Sequence, residues 1–264
     1  MLGWLRNKKR RDLMAAPFPQ QWQTILENRV WLYHMLTPEE QQRLRADMAV
    51  FIAEKSWEGC GGLEMTDEVK LVVSAHACML TLNIENNRYY PNVESILVYP
   101  TGYTSIARTV RPGGFIEEVP SARIGEAWHA GPIVLSWEDV LAGSLGHSGA
   151  NNVTLHEFAH KLDMLSGGAD GVPELDSDAA YTTWAEVMSH HYQVLLIHIH
   201  HHGHTVLNPY AATNPAEFFA VATETYFMRP HHLLEAMPEL YTVLSAYYRY
   251  TGWGAQNASH GAGV

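Results

Sequence analysis

His156-Glu157-Phe158-Ala159-His160 is the stretch that organises the rest of this chain. On a helix, two imidazoles four residues apart leave the same face and can grip one metal ion. Glu157 points beside that face, where a carboxylate can take a proton from an attacking water. Because the chain holds 16 histidines, such a pattern can also arise by coincidence, and its flanks must support it. They do: a Gly/Ser/His loop at 143–149 leads into a helix across roughly 151–165, and Gly167-Gly168 terminates it.

Upstream, Thr37-Pro38-Glu39-Glu40 reads as a helix start, with Thr as cap, Pro at the first helical position and Glu three after the cap. Leu44, Met48, Phe51 and Ile52 carry the helical period to about Lys55, and 59–62 breaks it. Thr66-Asp67-Glu68 caps a second apolar helix reaching Leu82, with Cys78 a packing residue and His76 a hydrogen-bonded or exposed one. The period then shortens. Segments 95–99 and 132–136 are apolar runs of strand length, and 122–128 is a further strand candidate weakened by Gly125. Arg111-Pro112-Gly113-Gly114 is turn chemistry, and Ser136 caps another helix. Helical pattern resumes near Asp178 to about His198, and Asn214-Pro215 opens a helix through Tyr226 that Arg229-Pro230 ends.

With 264 residues, 47% of them hydrophobic, the chain can bury a substantial core, and no linker forces a domain boundary. A formal charge of −11 argues against direct nucleic-acid binding. Cys60 and Cys78 match no metal-ligand spacing and form no disulfide framework. At the N-terminus a short apolar start precedes a basic cluster, the reverse of a signal peptide, and no run is long enough to span a membrane. The expectation is a cytoplasmic protein with a flexible basic terminus at 1–17, one domain at 18–251 and a flexible Gly/Ala-rich tail at 252–264.

A catalytic zinc usually takes three protein ligands and keeps one position open. Three kinds of candidate exist for the third. Asp163 shares the motif-helix face but suits a supporting carboxylate that accepts a ligand's ring proton or caps the local structure. The run His198, His200, His201, His202 and His204 around Gly203 looks like a solvent loop. Glu217 or Glu224, on a separate helix, can approach from a new direction, and Glu217 is the better geometric choice. Glu224, seven residues on, shares its face and is a candidate for orienting a ligating histidine.

Three separated stretches carry a resemblance. Gly131-Pro132-Ile133-Val134-Leu135-Ser136-Trp137, His156 through Asp163, and Tyr210-Ala211-Ala212-Thr213-Asn214-Pro215-Ala216-Glu217-Phe218-Phe219-Ala220 resemble the Mlc titration factor A (MtfA) family of zinc peptidases. The interval from Tyr210 to Glu217 also looks like that in the catalytic domain of anthrax lethal factor, another gluzincin. The resemblance covers about 18–250. It implies an α+β fold, a mainly helical zincin-like metallopeptidase with a small mixed or antiparallel sheet beside the active-site helix. It implies one Zn2+ per chain held by His156, His160 and Glu217, with Glu157 as general base and Tyr210 as a transition-state stabiliser. It further implies aminopeptidase-like hydrolysis of peptide substrates in the cytoplasm, and binding of the glucose repressor Mlc in control of sugar-uptake genes. A non-enzymatic protein that sequesters the repressor, with a structural or regulatory zinc, is the alternative. The strand at 132–136 is expected to offer its edge to a substrate peptide.

Overall fold

At Thr37 the local chemistry closes as its residues dictate. Thr37 Oγ1 accepts from Glu40 N (3.2 Å) and the Glu40 carboxylate accepts from Thr37 N (2.9 Å). In the computed structural model, which describes residues 2–84, 89–110, 116–123, 125–127 and 131–250, this box opens α3 (Pro38–Glu54). Two helices precede it, α1 (Leu2–Ala15) and α2 (Gln20–Arg29). The basic N-terminal segment is thus helical over Leu2–Ala15. Arg10 makes a two-toothed ion pair with Glu54 on α3 (2.7 and 2.6 Å), and its guanidinium lies 4.5 Å from the Tyr89 ring centroid. That contact links residues 44 apart, which no local pattern reveals.

Strand β1 (Ser56–Gly59) leads to α4 (Asp67–Thr81), capped by Thr66 as its sequence requires. From Leu71 to Thr81 every α4 residue is buried. A helix apolar all round belongs at the centre, and α4 packs against α2, α3 and two later helices, α5 (Trp137–Ser144) and α6 (Val153–Asp163). The remaining strands are β2 (Ser95–Tyr99), β3 (Tyr103–Val110), β4 (Ile116–Arg123), β5 (Gly125–Ala127) and β6 (Ile133–Ser136). β3 and β4 form a separate antiparallel ribbon. The other four make one mixed sheet in the order β1-β2-β6-β5, its first three strands parallel and β5 antiparallel to β6.

That order corrects one expectation. β6 is not an edge: Val134 pairs with Leu97 of β2 on one side and Glu126 of β5 on the other, and all four β6 residues are buried. The outer strand next to α6 is β5, the segment that Gly125 made hard to recognise. The turn at 111–114, Trp128 and the tail at 252–264 lie outside the described residues.

Beneath the sheet, Phe158 of α6 packs edge-on against Phe51 (5.7 Å between centroids) and Tyr90 (4.8 Å). The second half of the chain adds α7 (Asp178–His200), a 3-10 turn at Pro209–Ala212, α8 (Pro215–Met228), α9 (Pro230–Ala236) and α10 (Pro238–Tyr248). Trp184 of α7, Phe219 of α8 and Tyr247 of α10 meet edge to face at 5.6–6.2 Å. Between these aromatic groups α6 and α8 cross in contact. Among the described residues no helix is long and apolar enough to cross a membrane.

Candidate metal centre

Helix α6 begins where Asn152 Oδ1 accepts from Leu155 N (3.1 Å), and its first turn delivers His156. One turn on, the His160 ring stands edge to face with His156, centroids 4.8 Å apart and Nε2 atoms 3.1 Å apart. Phe158 leaves the opposite side into the core, so one helix is greasy below and imidazole-bearing above.

The third donor comes from α8. Asn214 Oδ1 accepts from Glu217 N (3.0 Å), placing Glu217 at the third helical position behind Pro215. A glutamate there commonly folds back onto the cap. Here its carboxylate turns instead to α6, with Oε2 3.0 Å from His156 Nε2 and 3.3 Å from His160 Nε2. Metal–ligand bonds of about 2.0–2.1 Å in a tetrahedron put neighbouring donors about 3.3 Å apart. The three observed separations match the edges of such a tetrahedron. Among the described residues this is the one group of three metal-ligating side chains with converging donors. Each side chain keeps 11–17% of its surface exposed, so the centre is reachable from one side.

Glu224 lies two helical turns below Glu217 on the same α8 face. Its Oε1 is 2.8 Å from His156 Nδ1, and its Oε2 accepts from Asn152 N. A carboxylate oxygen accepting there places a proton on His156 Nδ1 and leaves Nε2 facing Glu217 and His160. Glu224 thus makes the contact with a motif histidine that an orienting role requires. Asp163 serves its other expected purpose: it accepts from Gly171 N (2.9 Å) and Val172 N (2.8 Å), capping the loop after α6. Gly171 has φ +81°, and a Cβ there would sit 2.4 Å from Pro215 O. Trp184 Nε1 donates to Gly171 O (2.9 Å). The end of α6 is thereby pressed against the start of α8, which brings Glu217 to the histidines.

Glu157 is 4% exposed, and its Oε2 has no hydrogen-bond partner among the described residues. An orphaned buried carboxylate oxygen is costly and is retained where chemistry uses it. Burial pushes its pKa up to about 7; His156 offsets part of this, while Glu217 and Glu224 add to it. Burial alone would lower the His156 pKa, but hydrogen bonds to Glu217 and Glu224 raise it to about 10. Burial opposes ionisation of Glu217, yet hydrogen bonds to His156 and His160 and their charges hold it well below the usual carboxylate range. Three carboxylates converging on two imidazoles call for a cation at the centre.

Tyr210 sits in the 3-10 turn that Asn208 caps, its backbone N 3.0 Å from Asn208 Oδ1. Its ring centroid is 6.1 Å from that of His156, and 53% of the residue is exposed. It lies over the open side rather than buried. The histidine run is exposed, but only part of it is loop, because α7 extends through His200.

Known proteins are similar to this one across nearly the whole chain. "Uncharacterized protein slr2042" of Synechocystis sp. is 39% identical over 247 residues, covering 93% of this chain and 89% of its own. "Mlc titration factor A" of Yersinia pestis is 30% identical over 250 residues, 93% of this chain and 88% of its own, and the same holds for that of Yersinia pseudotuberculosis. The profile of the family described as glucose-regulated metallo-peptidase M90 matches residues 4–249, spanning α6, the 3-10 turn and α8 alike. With its donors at tetrahedral spacing and this match over its length, the chain belongs to the M90 metallopeptidase family.

Proposed function

We propose that this protein is a zinc-dependent peptidase, aminopeptidase-like in action, with His156, His160 and Glu217 as the ligands of one Zn2+. The observation that carries the proposal is the 3.0–3.3 Å triangle of donors with the buried, unpartnered Glu157 oxygen beside it. Zinc held by three protein ligands supplies Lewis acidity and a nucleophile available near neutral pH. Glu157 takes the proton of the attacking water and returns it to the leaving amine; a base tuned toward 7 suits both transfers. Glu224 keeps Nδ1 of His156 protonated throughout. Tyr210, over the open side, donates a hydrogen bond from its phenol to the carbonyl oxygen as charge develops there. A peptide adds as a strand along β5, the outer strand nearest α6. The catalytic unit spans 18–251, in a cytoplasmic setting that suits Cys60 and Cys78, which form no disulfide.

The name of the Yersinia relatives supports a second, compatible act, binding of the repressor Mlc, by a surface that need not include the metal centre. Glu157→Gln separates the two. The variant is expected to retain one zinc per chain and to lose peptide hydrolysis by at least about a hundredfold. Turnover close to the parent would refute the enzymatic role, and repressor binding that survives the change would show that binding requires no chemistry.

A further inference from the structure

We propose that the C-terminal turn of α7 is a second transition-metal site, in which His198, His202 and His204 bind a divalent ion of the zinc or nickel type. The segment His198-Ile199-His200-His201-His202-Gly203-His204 takes no part in the centre between α6 and α8.

Its backbone fold brings these residues together. His202 N donates to Ile199 O (3.1 Å) and Gly203 N donates to His198 O (2.8 Å), the two bonds of a Schellman closure. Such a closure needs a left-handed residue after the helix, usually glycine. Here His202 occupies that position, with φ +54°, although Gly203 is next in the chain. The chain then turns back over the last helical turn. A Cβ on Gly203 would lie 3.4 Å from Cδ2 of His198, so the His198 ring rests against the backbone of Gly203. Cδ2 is bonded to Nε2, the donor nitrogen, and the residues flanking Gly203 are His202 and His204.

His198 is also held as a metal ligand is held. Its Nδ1 is 2.8 Å from Val194 O. A carbonyl can only accept, so Nδ1 carries a proton and Nε2 is the nitrogen left to bind a metal. His198, His200, His201, His202 and His204 are all exposed. The setting favours a cation, since the negative end of the α7 macrodipole lies here. No lysine or arginine occurs between Lys161 and Arg229 to compete. The donors do not yet converge in the structure, so ligation requires rotation of exposed side chains around the anchored His198. His200, two residues after His198, leaves the helix on a different side and serves as the control.

The test uses the full chain, zinc-loaded and purified without an added histidine tag, titrated with Ni2+ and separately with Zn2+ by calorimetry and equilibrium dialysis. One equivalent beyond the first zinc is expected, with Kd of about 10 μM or tighter. His198→Ala, His202→Gly and His204→Ala should each weaken it about tenfold or more, and His200→Ala no more than about threefold. His202→Gly places the preferred residue in the left-handed position, so its folding is expected to be preserved or improved and loss of binding reports on the imidazole. Absence of the additional equivalent overturns the proposal. So does a small, even loss across all the histidine variants, which would mean adventitious binding only.

Discussion

Replacing Glu224 by Gln changes one atom and tests how the centre is held together. In the parent, Oε1 receives the His156 Nδ1 proton at 2.8 Å and Oε2 receives the Asn152 N–H, so both carboxylate oxygens accept. An amide has one oxygen and one NH2. If the oxygen faces His156, the NH2 meets the Asn152 N–H, donor against donor, at the cap of α6. If the amide flips, its NH2 requires an Nδ1 lone pair, which moves the imidazole proton to Nε2, the nitrogen facing Glu217 and His160. The first arrangement leaves a buried donor unpaired, at about 1–3 kcal/mol; the second puts a proton on the nitrogen that a metal would need; and in both a charge-assisted bond to a histidine is replaced by a neutral one. Loss of a ligand-orienting partner typically lowers metal affinity 10–100-fold, about 1.4–2.7 kcal/mol. We therefore expect Glu224→Gln to bind zinc 10–100-fold more weakly in competition with a chromophoric chelator, with hydrolysis largely restored by excess zinc. Glu224→Ala should be worse, since both donors then lose their partner. A folded Glu224→Gln protein whose zinc affinity stays within about threefold of the parent would refute the orienting role.

Three further outcomes follow from the same geometry. The metal-free protein should release at least about one proton on binding zinc at pH 7.5, because His156, raised to about 10, is protonated until a ligand bond replaces its proton; calorimetry in buffers of differing ionisation enthalpy measures this. The same shifts fix the sign of these two groups' contributions to pH stability: His156 contributes stability that is complete below its ordinary value of 6.5 and lost as pH rises through about 10, and raised Glu157 adds a loss between 4.5 and about 7, so the difference in melting temperature between the parent and Glu157→Gln should change over that lower window. Gly171→Ala should lower Tm by about 5–15 °C and reduce zinc content, since it strains a left-handed residue and meets Pro215 O at 2.4 Å. Tyr210→Phe should leave zinc content and KM near the parent and reduce kcat by about a hundredfold; an equal loss in KM would assign Tyr210 to substrate binding instead.

Where information was local, the sequence was enough to read it. The Thr37 box, the Thr66, Ser136 and Asn214 caps and the stop at Gly167 all depend on bonds spanning a few residues, and the structure makes each of them. Sidedness over one element was legible for the same reason: a spacing of four from His156 to His160 guarantees neighbouring rings on any helix. Strand order was not. Three-residue β5 lies within the strand candidate at 122–128 but carries no signal of its place, and it takes the flank of β6 to become an outer strand of the described sheet. Helix α1 was missed because its restraint is a pair of charges 44 residues apart.

For the metal centre the division falls at the same place. By themselves the residues determined that α6 would present two imidazoles and one carboxylate, and that α8 would carry Glu217 and Glu224 on one face. Only the tertiary structure decided how those two faces meet: Glu217 on the Nε2 side of His156, Glu224 on its Nδ1 side, Asp163 turned away to the loop, Tyr210 standing open above. Helical periodicity states which side chains share a face. The crossing of two helices, set here by the close approach of Gly171 to Pro215 and by aromatic packing around Trp184, determines what that face meets.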